Sequence, residues 1–232
     1  MSKTVLLSLL FCTLLSCSNT NGFYRIDGQV KGIADGETIK IATSPDGVLL
    51  EEQCYSVVKD GKFYFDGTVD ECKVGYICHP SLNRNHCSIL FIEKGDIKVI
   101  VDDGCCRITG TPMNNLYNIV EDTIAHYIAN LKNIEEQFYS RTLNEEELAR
   151  LSAEGLMMQE KLVTFLRKAI KENIENILGL YLLVTYNDFF TAEELRSLIK
   201  QIPPSSIDRL NNSFYDTIVN IVQEQQKTGS FN

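Results

Sequence analysis

The residues best suited to chemistry are cysteines and histidines, and most lie between positions 54 and 106. The 232-residue chain has eight Cys and three His. Cys54, Cys72, Cys78, Cys87, Cys105 and Cys106 fall in that stretch, with His79 and His86 between the middle pair. Six thiols leave the connectivity open. Symmetry narrows one pairing: if 80–85 is a hairpin loop, Cys78 faces Cys87 and His79 faces His86. Opposed residues on neighbouring strands lie about 4.5–5.5 Å apart, near what a disulfide needs. Buried free thiols are the competing reading. A zinc site from all four residues is a third, and strand alternation opposes it, because adjacent residues point to opposite faces. Cys105 and Cys106 rarely bond each other across a trans peptide. With Asp103-Gly104 as a two-residue turn, Cys106 faces the core opposite Val101. Cys105 then faces outward opposite Asp102, a candidate exposed thiol. A lone His126 on a helix carrying core residues reads as structural. No acid/base pair, nucleophile elbow or phosphate-binding loop is legible. The expectation is a non-enzyme with no metal and no cofactor.

The compartment follows from the N-terminus. Lys3 precedes an apolar run, Val5 to Leu15, of about the length a secretory signal needs. It is too short to span a membrane, which takes roughly 20 apolar residues. The run ends Leu14-Leu15-Ser16-Cys17, which resembles the lipobox of bacterial lipoproteins. The resemblance implies a signal peptide over 1–16, acylation of Cys17, and a lipid anchor and tether over 17–22. A plain signal peptide with an incidental cysteine is the alternative. Two or more acyl chains give stable membrane attachment, whereas one is marginal. By resemblance to lipoprotein sorting signals, the lack of an Asp after Cys17 speaks against inner-membrane retention, and the lack of an acidic run against export to the cell surface. The expected address is the outer membrane, facing the oxidising periplasm, where disulfides persist.

Composition is that of a globular protein, 44% hydrophobic and 23% charged. The net charge of −9, without a basic run, argues against nucleic acid as a partner. Residues 23–110 read as strands: Tyr24–Val30, Glu37–Ala42, Cys54–Val58, Lys62–Phe65, 73–79, 87–93, a strand carrying Ile97, Val99 and Val101, and Cys105–Thr109. Lys59-Asp60-Gly61 and Asp103-Gly104 are hairpin signals. Turns every eight to twelve residues predict an antiparallel β-sandwich or barrel-like sheet. At Gly110-Thr111-Pro112 the pattern changes to helix. Met113, Tyr117, Val120, Ile124, Tyr127, Leu131, Ile134 and Phe138 form a heptad seam. A second seam runs Leu148, Leu151, Gly155, Met158, Leu162, Phe165 and Ala169. The pair predicts a helical hairpin, with an intermolecular coiled coil as the alternative. The all-apolar run Ile177–Val184 should be the most buried helix. Thr191 to Glu194 is a capping box. Ser205 or Ser206 should cap a last helix carrying Ile207, Leu210, Phe214, Ile218 and Ile221. The fold class is α+β: a β domain over 23–110, then a helical region over 111–232.

Four dispersed stretches resemble one family. Phe91-Ile92-Glu93-Lys94-Gly95-Asp96-Ile97 is similar to its F-x-E-x-G-D-I signature. Tyr24 to Val30 is similar to its opening strand, Lys59 to Phe63 to its central hairpin, and Gly110-Thr111-Pro112-Met113-Asn114 to the G-T-P-L-N that ends its β part. This is the β-rich domain of unknown function that precedes thioredoxin-like domains (TlpA/ResA type, AhpC/TSA) in Gram-negative envelope lipoproteins. The thioredoxin part implies W-C-x-x-C, but this chain has no Trp and no C-x-x-C. The resemblance therefore implies an accessory region without that redox chemistry. The expected function is a non-catalytic envelope lipoprotein acting as a binding or protein-interaction module. Its partners would be the membrane, through its lipid, and a protein, with no ligand named. The alternative is an accessory to a thioredoxin-like thiol-disulfide system, in which Cys105 would be the reactive thiol. A hydrolase with an unrecognised site ranks third.

Overall fold

The computed structural model describes residues 22–43, 51–82, 86–140, 142–209 and 212–229. The signal, Cys17 and the tether up to Asn21 lie outside the described residues, as do residues 44–50.

Alternation of apolar and polar residues produces eight strands: β1 Gly22–Val30, β2 Thr38–Thr43, β3 Glu51–Val57, β4 Lys62–Val69, β5 Lys73–Cys78, β6 Cys87–Ile92, β7 Gly95–Asp102 and β8 Cys105–Thr109. They form two four-stranded sheets, ordered β4-β1-β7-β8 and β3-β2-β5-β6. Ile26, Phe63, Ile97 and Val99 from the first sheet meet Ile39, Ile41, Ile77 and Leu90 from the second in one core. The expected sandwich is present, with one pair unlike the rest: β1 and β7 run parallel, with Ile26 opposite Ile97. Strand polarity between distant segments leaves no trace in hydrophobic alternation, which is the same for both directions. Both hairpin turns carry positive φ at two successive residues, Asp60-Gly61 and Asp103-Gly104, the geometry that matches strand twist. Asp35 holds the first turn by accepting from the N–H groups of Asp60 (2.9 Å) and Gly61 (3.1 Å). Those donors keep its carboxyl below the usual range.

The helices are α1 Pro112–Ser140, α2 Glu145–Glu172, α3 Ile177–Thr185, α4 Ala192–Ile199, α5 Pro204–Arg209 and α6 Asn212–Gly229, with a 3₁₀ turn at Asn187–Phe189. The two long helices pack on each other within the chain, as a hairpin. Asn144 opens α2 with a capping box: its side chain accepts from Glu147 N–H (2.9 Å), and Glu147 accepts from Asn144 N–H (3.1 Å). Every side-chain position from Ile177 to Val184 is buried, as an apolar run with no polar face requires. Thr191 caps α4 as expected. The last expected helix is two. Pro204 starts α5, because its missing N–H costs nothing at a first turn, so Ser205 and Ser206 lie inside that helix. Ser206 instead donates its hydroxyl to the Glu175 carbonyl (3.3 Å). No described helix is long and apolar enough to cross a membrane.

Helices and strands share a second core. Val74 on β5 and Phe91 on β6 cluster with Tyr117, Leu162, Leu166, Leu180, Val184, Leu195 and Ile218. The β3-β2-β5-β6 sheet is therefore covered on both faces: by the other sheet on one, by helices on part of the other. His126, read as structural, lies instead on the exposed side of α1, where its ring meets Asn130 (3.2 Å) and stands edge-on to Tyr127.

Candidate functional site

Two of the resembling stretches, 91–97 and 110–114, converge where β6 meets the start of α1. Asn114 is 1% exposed and works as a piece of strand against β6. It accepts from Phe91 N–H (3.0 Å) and donates to the Phe91 carbonyl (2.7 Å) and the Thr111 hydroxyl (2.8 Å). The edge of β6 would otherwise bury unpaired backbone groups, which costs free energy. Glu93 accepts from Met113 N–H (2.7 Å) and Asn114 N–H (3.3 Å), supplying the carboxylate that a helix N-terminus favours. Asn118 donates to the Ile108 carbonyl on β8 (2.6 Å), and Arg107 pairs with Asp122 through two contacts of 2.8 and 3.0 Å. A Cβ on Gly110 (φ 103°) would overlap the Asp96 carbonyl, so only Gly fits. Phe91 packs tilted against Tyr117 (5.3 Å) and edge-on to Tyr181 (6.0 Å), and burial pushes both phenols up in pKa, Tyr181 to about 12. All these groups satisfy one another, so the junction is architecture rather than a reactive centre.

Cys78 and Cys87 are brought together. They oppose each other across β5 and β6 with Cα atoms 4.1 Å apart, and form a disulfide. The register places Tyr55, Lys40, Cys78 and Cys87 in one row across the sheet, with Tyr55 63% exposed and the disulfide half-buried. The two histidines part company. His79 N–H donates to the His86 carbonyl (2.8 Å), but the side chains do not form the facing pair that symmetry predicted. His86 has φ 66°, leaves the strand, and points its exposed ring at the Pro80 carbonyl (2.7 Å). His79 is buried, accepting from Ser81 N–H at Nδ1 (3.1 Å), with Nε2 3.1 Å from Glu37. A left-handed residue resets side-chain direction, which alternation alone cannot foresee. Cys105 is exposed opposite Asp102, and Cys106 lies inward opposite Val101. Burial pushes the Cys106 thiol up to about 11 and the Cys72 thiol up to about 12. Among the described residues no three His, Cys, Asp or Glu side chains converge as metal ligands would.

The distal half of the helical hairpin was not picked out by sequence reasoning as a site. Helix α1 is about 43 Å long at 1.5 Å per residue, and only its first two-thirds pack on the shared core. Beyond Leu131, Ile134 (6% exposed) and Leu151 (0%) are buried, yet neither belongs to a core cluster. Around them Tyr139, Leu156, Leu148 and Met157 are exposed. The second seam therefore holds at Leu151 but not at Leu148, which a two-helix arm leaves uncovered. Between the helices lies an open groove of about 380 Å³. Leu131, Ile134, Phe138 and Tyr139 form one wall and Gly155 part of the other; Glu135 and Gln159 are its polar members. A small residue at a seam position is the one sequence signal that could have located it.

Comparison with known proteins agrees with the junction geometry. No curated protein matches the chain. One family model matches, over residues 24–117. That span contains both converging stretches and ends at Tyr117, on the first turns of α1, after the residues that close the β6 edge. The model that matches Tyr24 to Tyr117 is that of a domain of unknown function, DUF4369, and this stretch is what the chain shares with that family.

Proposed function

We propose that this chain is a lipid-anchored protein of the bacterial envelope that works without catalysis, as a protein-interaction module docking through the distal half of its helical hairpin. The observation that carries the reading is apolar exposure beyond the core: Tyr139 is 83% exposed and Leu156 70%, beside the half-exposed Leu148 and Met157. Burying each such side chain is worth about 1.5–3 kcal/mol, which the isolated chain forgoes and a partner would recover. The lipobox-like Leu14-Leu15-Ser16-Cys17 and the polar tether after it support an anchor that leaves the arm free to reach a partner. The test is recovery of partners from the native envelope with wild type and with Leu156→Glu/Met157→Glu. Those residues are exposed, so the variant should melt like wild type and lose its partner. Unchanged partner recovery would reject the reading.

A second reading has its own observation. The half-buried Cys78–Cys87 disulfide sits in a row with exposed Tyr55, where a thioredoxin-like dithiol has access to it. As an accessory to such a system, the disulfide would be reduced far faster by an envelope dithiol protein than by dithiothreitol at equal thiol concentration. Equal rates would reject this alternative.

A further inference from the structure

We propose that the groove near the hairpin tip binds an amphipathic helix of a partner protein that presents a Lys or Arg beside apolar residues. This rests on the reading of the arm as a docking surface and names the chemistry of what docks.

Shape and charge both select this partner. The groove is open, lies between two helices, and has mostly apolar walls, which suits the apolar face of a third helix laid against it. Gly155 keeps one wall low: a Cβ there would already touch Ile134 at 3.7 Å, and a longer side chain would occupy the groove. The carboxylate of the lining is Glu135, which shares the groove with the aromatic rings of Phe138 and Tyr139. A carboxylate next to aromatic faces attracts a cation twice, by charge and by the ring quadrupole. The surroundings add to this. Residues 128–161 hold seven Glu and four Lys or Arg. Lys132 and Arg150 are engaged by Glu136 and Glu154 of their own helices. A second copy would bring the same acidic arm against this one, and an anionic membrane surface would be repelled likewise. A cationic amphipathic helix meets no such penalty.

The test uses the full chain in detergent micelles and a synthetic Leu/Lys amphipathic helix carrying one Trp. The chain has no Trp, so the indole signal belongs to the peptide, with micelles alone as the blank. Saturable binding is expected, weakened by about tenfold in Gly155→Leu, and weakened also by Glu135→Gln and by salt. Glu160→Gln makes the same charge change on the arm outside the groove and should weaken binding clearly less than Glu135→Gln. Equal loss in Glu160→Gln and Glu135→Gln would reveal diffuse charge attraction and overturn the proposal. So would binding indifferent to Gly155→Leu, stronger binding of a Leu/Glu helix, or a wild-type dimer that Gly155→Leu dissociates. Circular dichroism of each variant confirms an intact hairpin. If the peptide fails to bind while Leu156→Glu/Met157→Glu still loses its envelope partner, the partner chemistry is wrong and the docking surface stands.

Discussion

Replacing Asn114 by Ala tests whether one side chain closes the edge of β6. The substitution removes three hydrogen bonds, of 3.0, 2.7 and 2.8 Å. The Thr111 hydroxyl oxygen loses a donor but keeps its own O–H to donate elsewhere. The N–H and carbonyl of Phe91, a residue 0% exposed, cannot move and are left unpaired. Each buried orphan costs about 1–3 kcal/mol, so the variant should lose about 4 kcal/mol. For a domain of this size that lowers Tm by about 8–16 °C. Asn115→Ala is the control: it removes one exposed 3.2 Å bond to Gly110 N–H, worth about 1 kcal/mol or less. Asn114→Asp adds a pH signature. The new carboxylate accepts from Phe91 N–H but faces the Phe91 carbonyl, so burial raises its pKa above the unfolded value of about 3.9. Its deficit should therefore vanish below about pH 4 and grow as pH rises through the raised value. Urea unfolding followed at 222 nm reads all three variants. A loss in Asn114→Ala no larger than in Asn115→Ala would refute the reasoning.

Other consequences are as direct. Leu180→Ala, at a site 1% exposed in the core shared by helices and β5–β6, should cost about 2–5 kcal/mol. Unfolding should stay a single transition for strands and helices; two separated transitions would show independent cores. Alkylation at pH 8 should label Cys105 well before Cys106 and Cys72, whose thiols at about 11 and 12 are on the order of a thousandth or less thiolate at that pH. Cys78 and Cys87 should react only after reduction, and their early labelling would show them to be thiols. Cys17→Ala should release the protein from membranes, and membrane retention with no lipid on wild type by mass spectrometry would reject the anchor.

The strands were legible because alternation and Asp-Gly turns are local signals, and five helices followed from seams, caps and prolines in the same way, the last of them divided into α5 and α6 in the structure. The parallel pairing of β1 with β7 was not legible, because hydrophobic alternation carries no direction. Symmetry set Cys78 opposite Cys87 while leaving disulfide and free thiols both open, and the same argument failed one residue outward, where His86 turns left-handed. The converging stretches were noticed as resemblances. What they do was hidden, because Asn114 reaching back to Phe91 is a contact across 23 residues. The groove was hardest to see, since a seam marks where two helices meet but not where their cover ends. Gly155 was counted as an ordinary seam position, and the exposure of Leu148 and Leu156 depends on which helices pack alongside.

The central claim, that the distal hairpin is the docking surface, is tested most directly by photo-crosslinking in the intact envelope. A photoreactive residue replaces Tyr139 or Leu156 on the arm, or Tyr64 on the outer face of the β4-β1-β7-β8 sheet, which is 52% exposed and serves as the comparison. The arm positions should crosslink to one discrete protein while Tyr64 gives none. Crosslinks that form from Tyr64 and not from Tyr139 or Leu156 would contradict the account.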